Sequence, residues 1–141
     1  MIDSARSRES LEKLLKLARG DADALRIDLA DIDKAQHNAK ASLTNLERSA
    51  KAEEATCAKT APADLGAYLE GVRARRHNLR TTLATLSDAE NKARDRLEAA
   101  FIEIKKLEHL IEIFMRDARK VERRRDLTAM DEIAALRARK A

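Results

Sequence analysis

The residues Lys59-Thr60-Ala61-Pro62-Ala63-Asp64 contain the only proline of this 141-residue chain, and they decide how the rest of it folds. Proline has no backbone N–H and its ring clashes with the preceding helical turn, so it is accommodated best in the first turn of a new helix. A helix that arrives from the N-terminal side therefore has to end before Pro62. The stretch predicts a turn at about residues 59–63 between two helices, at about residues 4–58 and 64–138.

The sequence upstream of this turn carries a heptad repeat, in which small or apolar residues recur at alternating spacings of three and four. The repeat consists of Leu11, Leu15, Ala18, Ala22, Leu25, Leu29, Ile32, Gln36, Ala39, Leu43, Leu46 and Ala50. It lasts for about six heptads, and three or four are enough to indicate a coiled coil. We therefore expect one long helix with a single apolar stripe. Gly20 lies on the outer face of that helix, where it costs roughly 1 kcal/mol relative to alanine.

A second stripe follows the turn, with one phase shift near Leu79 that locally relaxes the supercoil. It consists of Tyr68, Val72, Leu79, Leu83, Leu86, Ala93, Leu97, Ala100, Ile104, Leu107, Ile111, Phe114, Ala118 and Val121. Two helices with one stripe each, joined by a short turn, bury those stripes by folding back on each other. A pivot at Ala61 pairs residues whose numbers add up to about 122, so that Leu15 meets Leu107. The fold class is all-α, an antiparallel coiled-coil hairpin of 1–141 that forms a stalk roughly 75 Å long.

In this register helix two is longer than helix one. In this antiparallel pairing the N-terminal end of helix one lies opposite about Met115. The stretch from Arg116 to Ala141 therefore overhangs without a partner. This stretch holds nine basic and five acidic residues, whereas the rest of the chain holds twenty of each, so the whole formal charge of +4 lies in the overhang. A solvated helical face is one interpretation. The other is a helix end that binds an acidic, partly apolar protein surface.

The composition argues against catalysis and against most ligands. Charged residues make up 38% of the chain and aromatic residues 2%, which is typical of long helices that enclose no pocket. Three scattered histidines and Cys57 do not have the spacing of a metal site, and no glycine-rich phosphate loop is present. We expect no enzyme activity, catalytic residue, metal, cofactor or small-molecule substrate. Without an apolar span or a secretory signal, the protein is expected in the cytoplasm.

Nucleic acid is a weaker candidate partner for the overhang than protein. Asp117, Glu122 and Asp126 dilute the positive field, and no aromatic residues accompany the arginines to stack on bases. A second candidate contact lies near the start of helix two, where Tyr68 is close in sequence to Arg73, Arg75 and Arg76. Tyrosine and arginine are favoured anchors of protein interfaces. The alternative interpretation is that Tyr68 only fills the broad end of the hairpin.

Three segments of helix two carry a family resemblance: Gly66-Ala67-Tyr68-Leu69-Glu70-Gly71-Val72-Arg73, Ala99-Ala100-Phe101-Ile102-Glu103-Ile104-Lys105-Lys106-Leu107-Glu108 and Asp131-Glu132-Ile133-Ala134. They resemble the flagellar FliJ export proteins, whereas helix one is similar to that family only in length and heptad character. The resemblance implies a cytoplasmic stalk and general chaperone component of the flagellar type III export apparatus. A counterpart in an injectisome and a self-associating structural coiled coil are the alternatives.

The resemblance also implies partners for particular residues. The free helix ends would bind the export ATPase ring, through Arg6, Arg8, Leu11, Arg119, Arg123, Arg124 and Arg125. A patch nearer the turn would bind the cytoplasmic domain of the export gate protein, through Tyr68, Val72, Arg76 and Leu79. Export chaperones are a further implied partner, and such partners would hold the protein peripherally at the membrane.

Overall fold

A computed structural model describes the backbone of residues 3–60 and 62–140 and the side chains of residues 5–56 and 64–140. Helix α1 spans Asp3–Thr60 and helix α2 spans Pro62–Lys140, and the two helices pack against each other. All the described residues are α-helical, which confirms the predicted all-α, two-helix fold. Asp64 lies in the first turn of α2 and basic residues lie in its last turn, so both ends complement the helix dipole.

The described helices extend into the predicted turn region, and the turn at 59–63 stays a prediction. Residues 59, 60, 62 and 63 are helical. Ala61 and the side chain of Cys57 lie outside the described residues. Proline fits the first helical position without strain, and α2 begins at Pro62.

The chain divides into two compact units. Unit 1 comprises Met1–Ala22 and Ala99–Ala141. Its buried residues are Leu15, Ala22, Ile104 and Leu107, each 9% exposed or less. Leu15 and Leu107 are a pair that the sequence predicts to meet. Arg19 of α1 adds an ion pair to Glu108 of α2, with 3.4 Å between Nη2 and Oε1. That the whole chain forms a single domain stays a prediction.

Unit 2 comprises Asp23–Glu98, and its buried residues are mostly small. Ala39, Ala50, Val72 and Ala93 are buried. Because apolar burial contributes about 25 cal/mol per Å², alanines of this kind stabilise a helix pair only weakly. We therefore expect marginal stability for the protein alone.

A polar contact interrupts the apolar seam of unit 2. Gln36, at a seam position of α1, donates a hydrogen bond of 2.7 Å from Nε2 to Oε2 of Glu90 on α2. Glu90 also forms an ion pair with Arg94, one turn further along α2. A polar side chain in a coiled-coil seam penalises other alignments, because a shift would leave it unpaired. This contact therefore helps to fix the register of the two helices in unit 2.

Replacing the three glycines by alanine tests whether these positions are helical and uncrowded. Gly20, Gly66 and Gly71 lie inside α1 or α2, and a Cβ added at any of them would meet no atom of another residue within 4 Å, their own helix backbone aside. Each Gly→Ala change should therefore raise the free energy of unfolding by about 1 kcal/mol through helix propensity alone. The triple variant should show a higher Tm in a circular-dichroism melt. Ala84→Gly, at an exposed position of α2, should lower it, and a triple variant with an unchanged Tm would contradict the account.

Candidate protein-binding surfaces

Helix α2 continues beyond the start of α1. Ala5 and Arg8 of α1 share a groove with Phe114 and Ala118 of α2, so α2 still has a partner at Ala118. All the side chains of residues 119–140 are exposed. These residues are called the overhang below. The predicted overhang is confirmed, but its start moves from Arg116 to the residue after Ala118, because the first turn of α1 reaches further along α2 than expected.

The first third of the overhang is strongly basic. Residues 119–126, called the basic segment, contain five basic and two acidic residues. Within the described part of the chain, the guanidinium groups of Arg119, Arg123, Arg124 and Arg125 form no ion pair with any carboxylate. Four unpaired guanidinium groups within two turns of helix form a positively charged surface suited to an acidic partner.

The rest of the overhang is largely apolar. Residues 127–138, called the apolar segment, contain eight apolar residues and only three charged ones. Leu127, Met130, Ile133 and Leu136 are between 52% and 66% exposed. A single exposed aliphatic side chain is ordinary on a protein surface, but four in ten residues are a feature of interaction surfaces.

The three residues predicted at the start of α1 have different environments. Arg6 is exposed, and no carboxylate in the described structure pairs with it. Arg8 lies 3.2 Å from Glu12, measured from Nε to Oε1, and it lines the groove beside Phe114. Leu11 is half-buried on the seam. The ion pair of Arg8 is exposed and therefore weak, so a partner could displace Glu12 at little cost.

The four residues predicted to contact the gate do not form one surface. Tyr68 and Leu79 line one groove, whereas Val72 and Arg76 line a different one. Val72 is only 1% exposed and belongs to the core. The reason is helical geometry, since each step of four residues turns the side chain by about 40°. Tyr68 and Arg76 are therefore on opposite sides of the buried Val72, and gate binding by these four residues stays a prediction.

Arg76 is held against α1. Its Nε lies 3.4 Å from Oε1 of Glu47, close enough for an ion pair. The angle does not make a hydrogen bond, and the Nε atom is buried without another partner in the described structure. The Arg76 side chain therefore points toward Glu47 on α1, and it is about 31% exposed.

The groove that contains Tyr68 and Leu79 has a wall from α1 that the sequence did not single out. We call it the Tyr68 groove, and its volume is about 360 Å³. It is lined by Ser42, Asn45, Leu46, Ser49, Tyr68, Arg75 and Leu79. Its lining combines the hydroxyl and amide groups of Ser42, Asn45 and Ser49 with apolar side chains, which suits a protein partner. The predicted register could have located the α1 wall, because it pairs position 43 with Leu79. Ser42, Asn45 and Leu46, which line the groove, lie within three residues of that position.

Metal binding and membrane insertion have no support in the described residues. No group of three His, Cys, Asp or Glu side chains among them comes together as a metal site. In the same part of the chain, neither helix has a stretch long and apolar enough to cross a membrane. The surfaces that stand out are the overhang and the Tyr68 groove.

A two-helix coiled coil with a basic overhang defines a class of helical proteins that present surfaces rather than pockets. The family model described as "Flagellar FliJ protein" matches residues 7–141, and the chain belongs to this family. It is thus a component of flagellar type III protein export, from a family of export components that are not known enzymes. The resemblance seen in helix two is confirmed. No curated protein and no solved structure matches the chain.

Proposed function

We propose that this protein is a cytoplasmic stalk that binds the ring of the flagellar export ATPase through its overhang and the first turns of α1. The observation that carries the proposal is the basic segment, a stretch of regular helix with four arginines that form no ion pair in the described structure. The contacts at the start of α1 are Arg6, Arg8 and Leu11. Contacts with export chaperones belong to the same proposal.

The charge distribution supports an electrostatic contact at this end. The excess positive charge of the chain lies in residues 116–141, and the remaining residues are balanced. A partner with an acidic surface would be attracted to the overhang specifically, and unlike charges speed the encounter and fix its orientation. Arginine is enriched at protein interfaces because its planar group makes several hydrogen bonds at once. A helix end that projects past its partner helix can be surrounded by a ring.

Replacing Arg119, Arg123, Arg124 and Arg125 by glutamine tests the proposal. We expect the affinity for the export ATPase to fall roughly tenfold to hundredfold at low salt, because several charged contacts are lost. The affinity of the variant should also depend less on salt than that of the wild type. Isothermal titration at two salt concentrations measures both effects.

A matched control removes the same charge elsewhere. Arg48, Arg73, Arg80 and Arg96 are exposed residues of unit 2, and their replacement by glutamine lowers the net charge equally. This control should bind the ATPase within about threefold of the wild type, since it leaves the basic segment intact. An equal loss in both variants would show that net charge alone drives the association, and would contradict a contact at the overhang.

The Tyr68 groove is the second proposed contact, with the cytoplasmic domain of the export gate protein. Tyr68, Leu79 and Leu46 supply the apolar part of this groove, while Val72 is buried in the core of unit 2. Tyr68→Ala should weaken gate binding by about tenfold, and Tyr68→Phe should weaken it less because the ring is kept. Arg76→Gln should have little effect, because Arg76 lies on the other side of the seam. Equal losses from Tyr68→Ala and Arg76→Gln in a pull-down titration would contradict this assignment.

A self-associating coiled coil is the competing function. The outer faces of both helices are rich in charged residues, which disfavours extensive bundling, but the overhang alone could pair with a second copy. Light scattering of the dilute protein separates the two: a monomer supports the stalk, and a stable dimer that dissociates on loss of the overhang supports self-association.

A further inference from the structure

A groove in unit 2 carries charges of opposite sign on its two walls. We call it the charged groove, and its volume is about 370 Å³. Its α1 wall presents Asp28 and Asp31, and its α2 wall presents Lys92 and Arg96. All four side chains are exposed, and none of them forms an ion pair within the described part of the chain. The charged groove shares no residue with the overhang or with the Tyr68 groove.

The floor of the charged groove is apolar and remains accessible to water. It consists of Leu25, Ile32, Ala89 and Ala93. Leu25 and Ile32 belong to the seam of α1, yet both are only half-buried, since the α2 residues beside them in the groove are short alanines. Covering such a floor removes apolar surface from water and stabilises an association. An apolar floor between charged walls is the arrangement that coiled-coil helices use to select and orient a partner.

The acidic and basic residues of the two walls lie at matching levels along the helix pair. Glu47 of α1 meets Arg76 of α2 across the seam. Sixteen residues from this contact along each helix lie Asp31 and Lys92, and the other two wall residues lie nineteen and twenty residues from it. Because α1 and α2 run in opposite directions, equal counts from one contact reach the same level. Each carboxylate therefore has a basic group at its own level on the opposite wall.

This arrangement makes the charged groove complementary to a second copy of itself. When two copies of unit 2 face each other groove to groove and point in the same direction, a two-fold axis along their length places α1 of each copy against α2 of the other. The acidic wall of each copy then meets the basic wall of the other at the same level. When the copies point in opposite directions, acidic wall meets acidic wall, and repulsion between like charges disfavours that alignment.

We propose that the charged groove is a pairing surface for a second copy of this chain, which docks groove to groove in parallel alignment. Opposite charges flank the two apolar floors and fix the direction of pairing. Exposed ion pairs contribute little each, so the dimer forms at high protein concentration and dissociates on dilution. The proposal does not depend on ATPase binding, and it is compatible with a monomeric stalk in dilute solution.

Reversing the charge of one wall tests the pairing. Asp28→Lys with Asp31→Lys makes both walls basic, and Lys92→Glu with Arg96→Glu makes both walls acidic. Sedimentation equilibrium of the full chain at low salt measures association over a range of protein concentrations. The wild type should dimerise, and each variant alone should associate at least about tenfold more weakly, because like charges then face each other. An equimolar mixture of the two variants should recover wild-type association, since opposite charges meet again at every contact.

Two controls separate the groove from net charge and from the overhang. Asp33→Lys with Asp88→Lys reverses the same number of exposed carboxylates in unit 2 outside the groove. This control should dimerise within about threefold of the wild type, because the groove is unchanged. The chain that ends after Ala118 should also dimerise like the wild type. Circular dichroism should show the same mean residue helicity for all the full-length variants.

Four results would overturn the pairing surface. A wild type that stays monomeric at every concentration would show that the groove binds no second copy. Reversed-wall variants that dimerise like the wild type would place the contact elsewhere. A mixture that does not recover association, while both variants remain helical, would contradict the parallel groove-to-groove alignment. A dimer that is lost in the chain ending after Ala118 would assign the pairing to the overhang.

Discussion

Ending the chain after Ala118 is expected to abolish binding to the flagellar export ATPase and any effect of this protein on its turnover. The deletion removes all four unpaired arginines of the basic segment and the whole apolar segment. The ATPase contact proposed for the overhang is then lost, so we expect a decrease in affinity of more than about a hundredfold. A pull-down titration with ATP hydrolysis followed in parallel measures the effect.

The truncated protein should remain folded. The side chains of residues 119–140 are exposed, so their removal should leave the mean residue helicity and the Tm nearly unchanged in a melt. A chain that ends after Asp126 keeps the basic segment and should bind with intermediate affinity. Wild-type affinity in the chain that ends after Ala118 would contradict the account, because binding would then have to occur elsewhere on the helix pair.

Leu107→Asp is expected to unfold unit 1. Leu107 is 5% exposed and lies in the seam of unit 1. A buried carboxylate without a partner costs several kcal/mol, in addition to the lost apolar burial. Because the core of this helix pair is thin, that cost is comparable to a typical total stability of 5–15 kcal/mol. Circular dichroism at 25 °C should show a large loss of helical signal, and Leu107→Ala should lower the free energy of unfolding by about 2–4 kcal/mol.

Leu110→Asp is the matched control for this prediction. Leu110 lies one turn further along the same helix and is 42% exposed, so its carboxylate would reach water. We expect its free energy of unfolding to remain within about 1 kcal/mol of the wild type. Equal destabilisation by Leu107→Asp and Leu110→Asp would show that the two positions are not distinguished by burial, and that the register described here is wrong.

The core could be predicted from the sequence because a heptad repeat encodes burial directly. All eight of the residues buried in the described structure are seam positions of the sequence: Leu15, Ala22, Ala39, Ala50, Val72, Ala93, Ile104 and Leu107. The overhang was predictable for a related reason, since a pivot at Ala61, next to the single proline, fixes where the N-terminus of α1 lies along α2. The family resemblance was carried by short segments of α2 and is confirmed by the match over residues 7–141.

The details of the candidate surfaces were harder to predict. A likeness to a family indicates which positions matter, but it does not say which side of a helix pair each one faces. Val72 is buried and Arg76 turns toward Glu47, because a step of four residues moves gradually across the seam. The ion pair between Arg8 and Glu12 depends on side-chain conformation. The α1 wall of the Tyr68 groove appears only once both helices are aligned.

The contact between the overhang and the export ATPase is the central claim, and site-specific photo-crosslinking tests it most directly. A photoreactive residue placed at Arg123 or at Met130 is expected to form a covalent adduct with the purified ATPase, while one at the exposed Ile27 of unit 2 is not. Adducts from both overhang positions and none from Ile27 would support the account. Adducts from Ile27 alone, with none from the overhang, would contradict it.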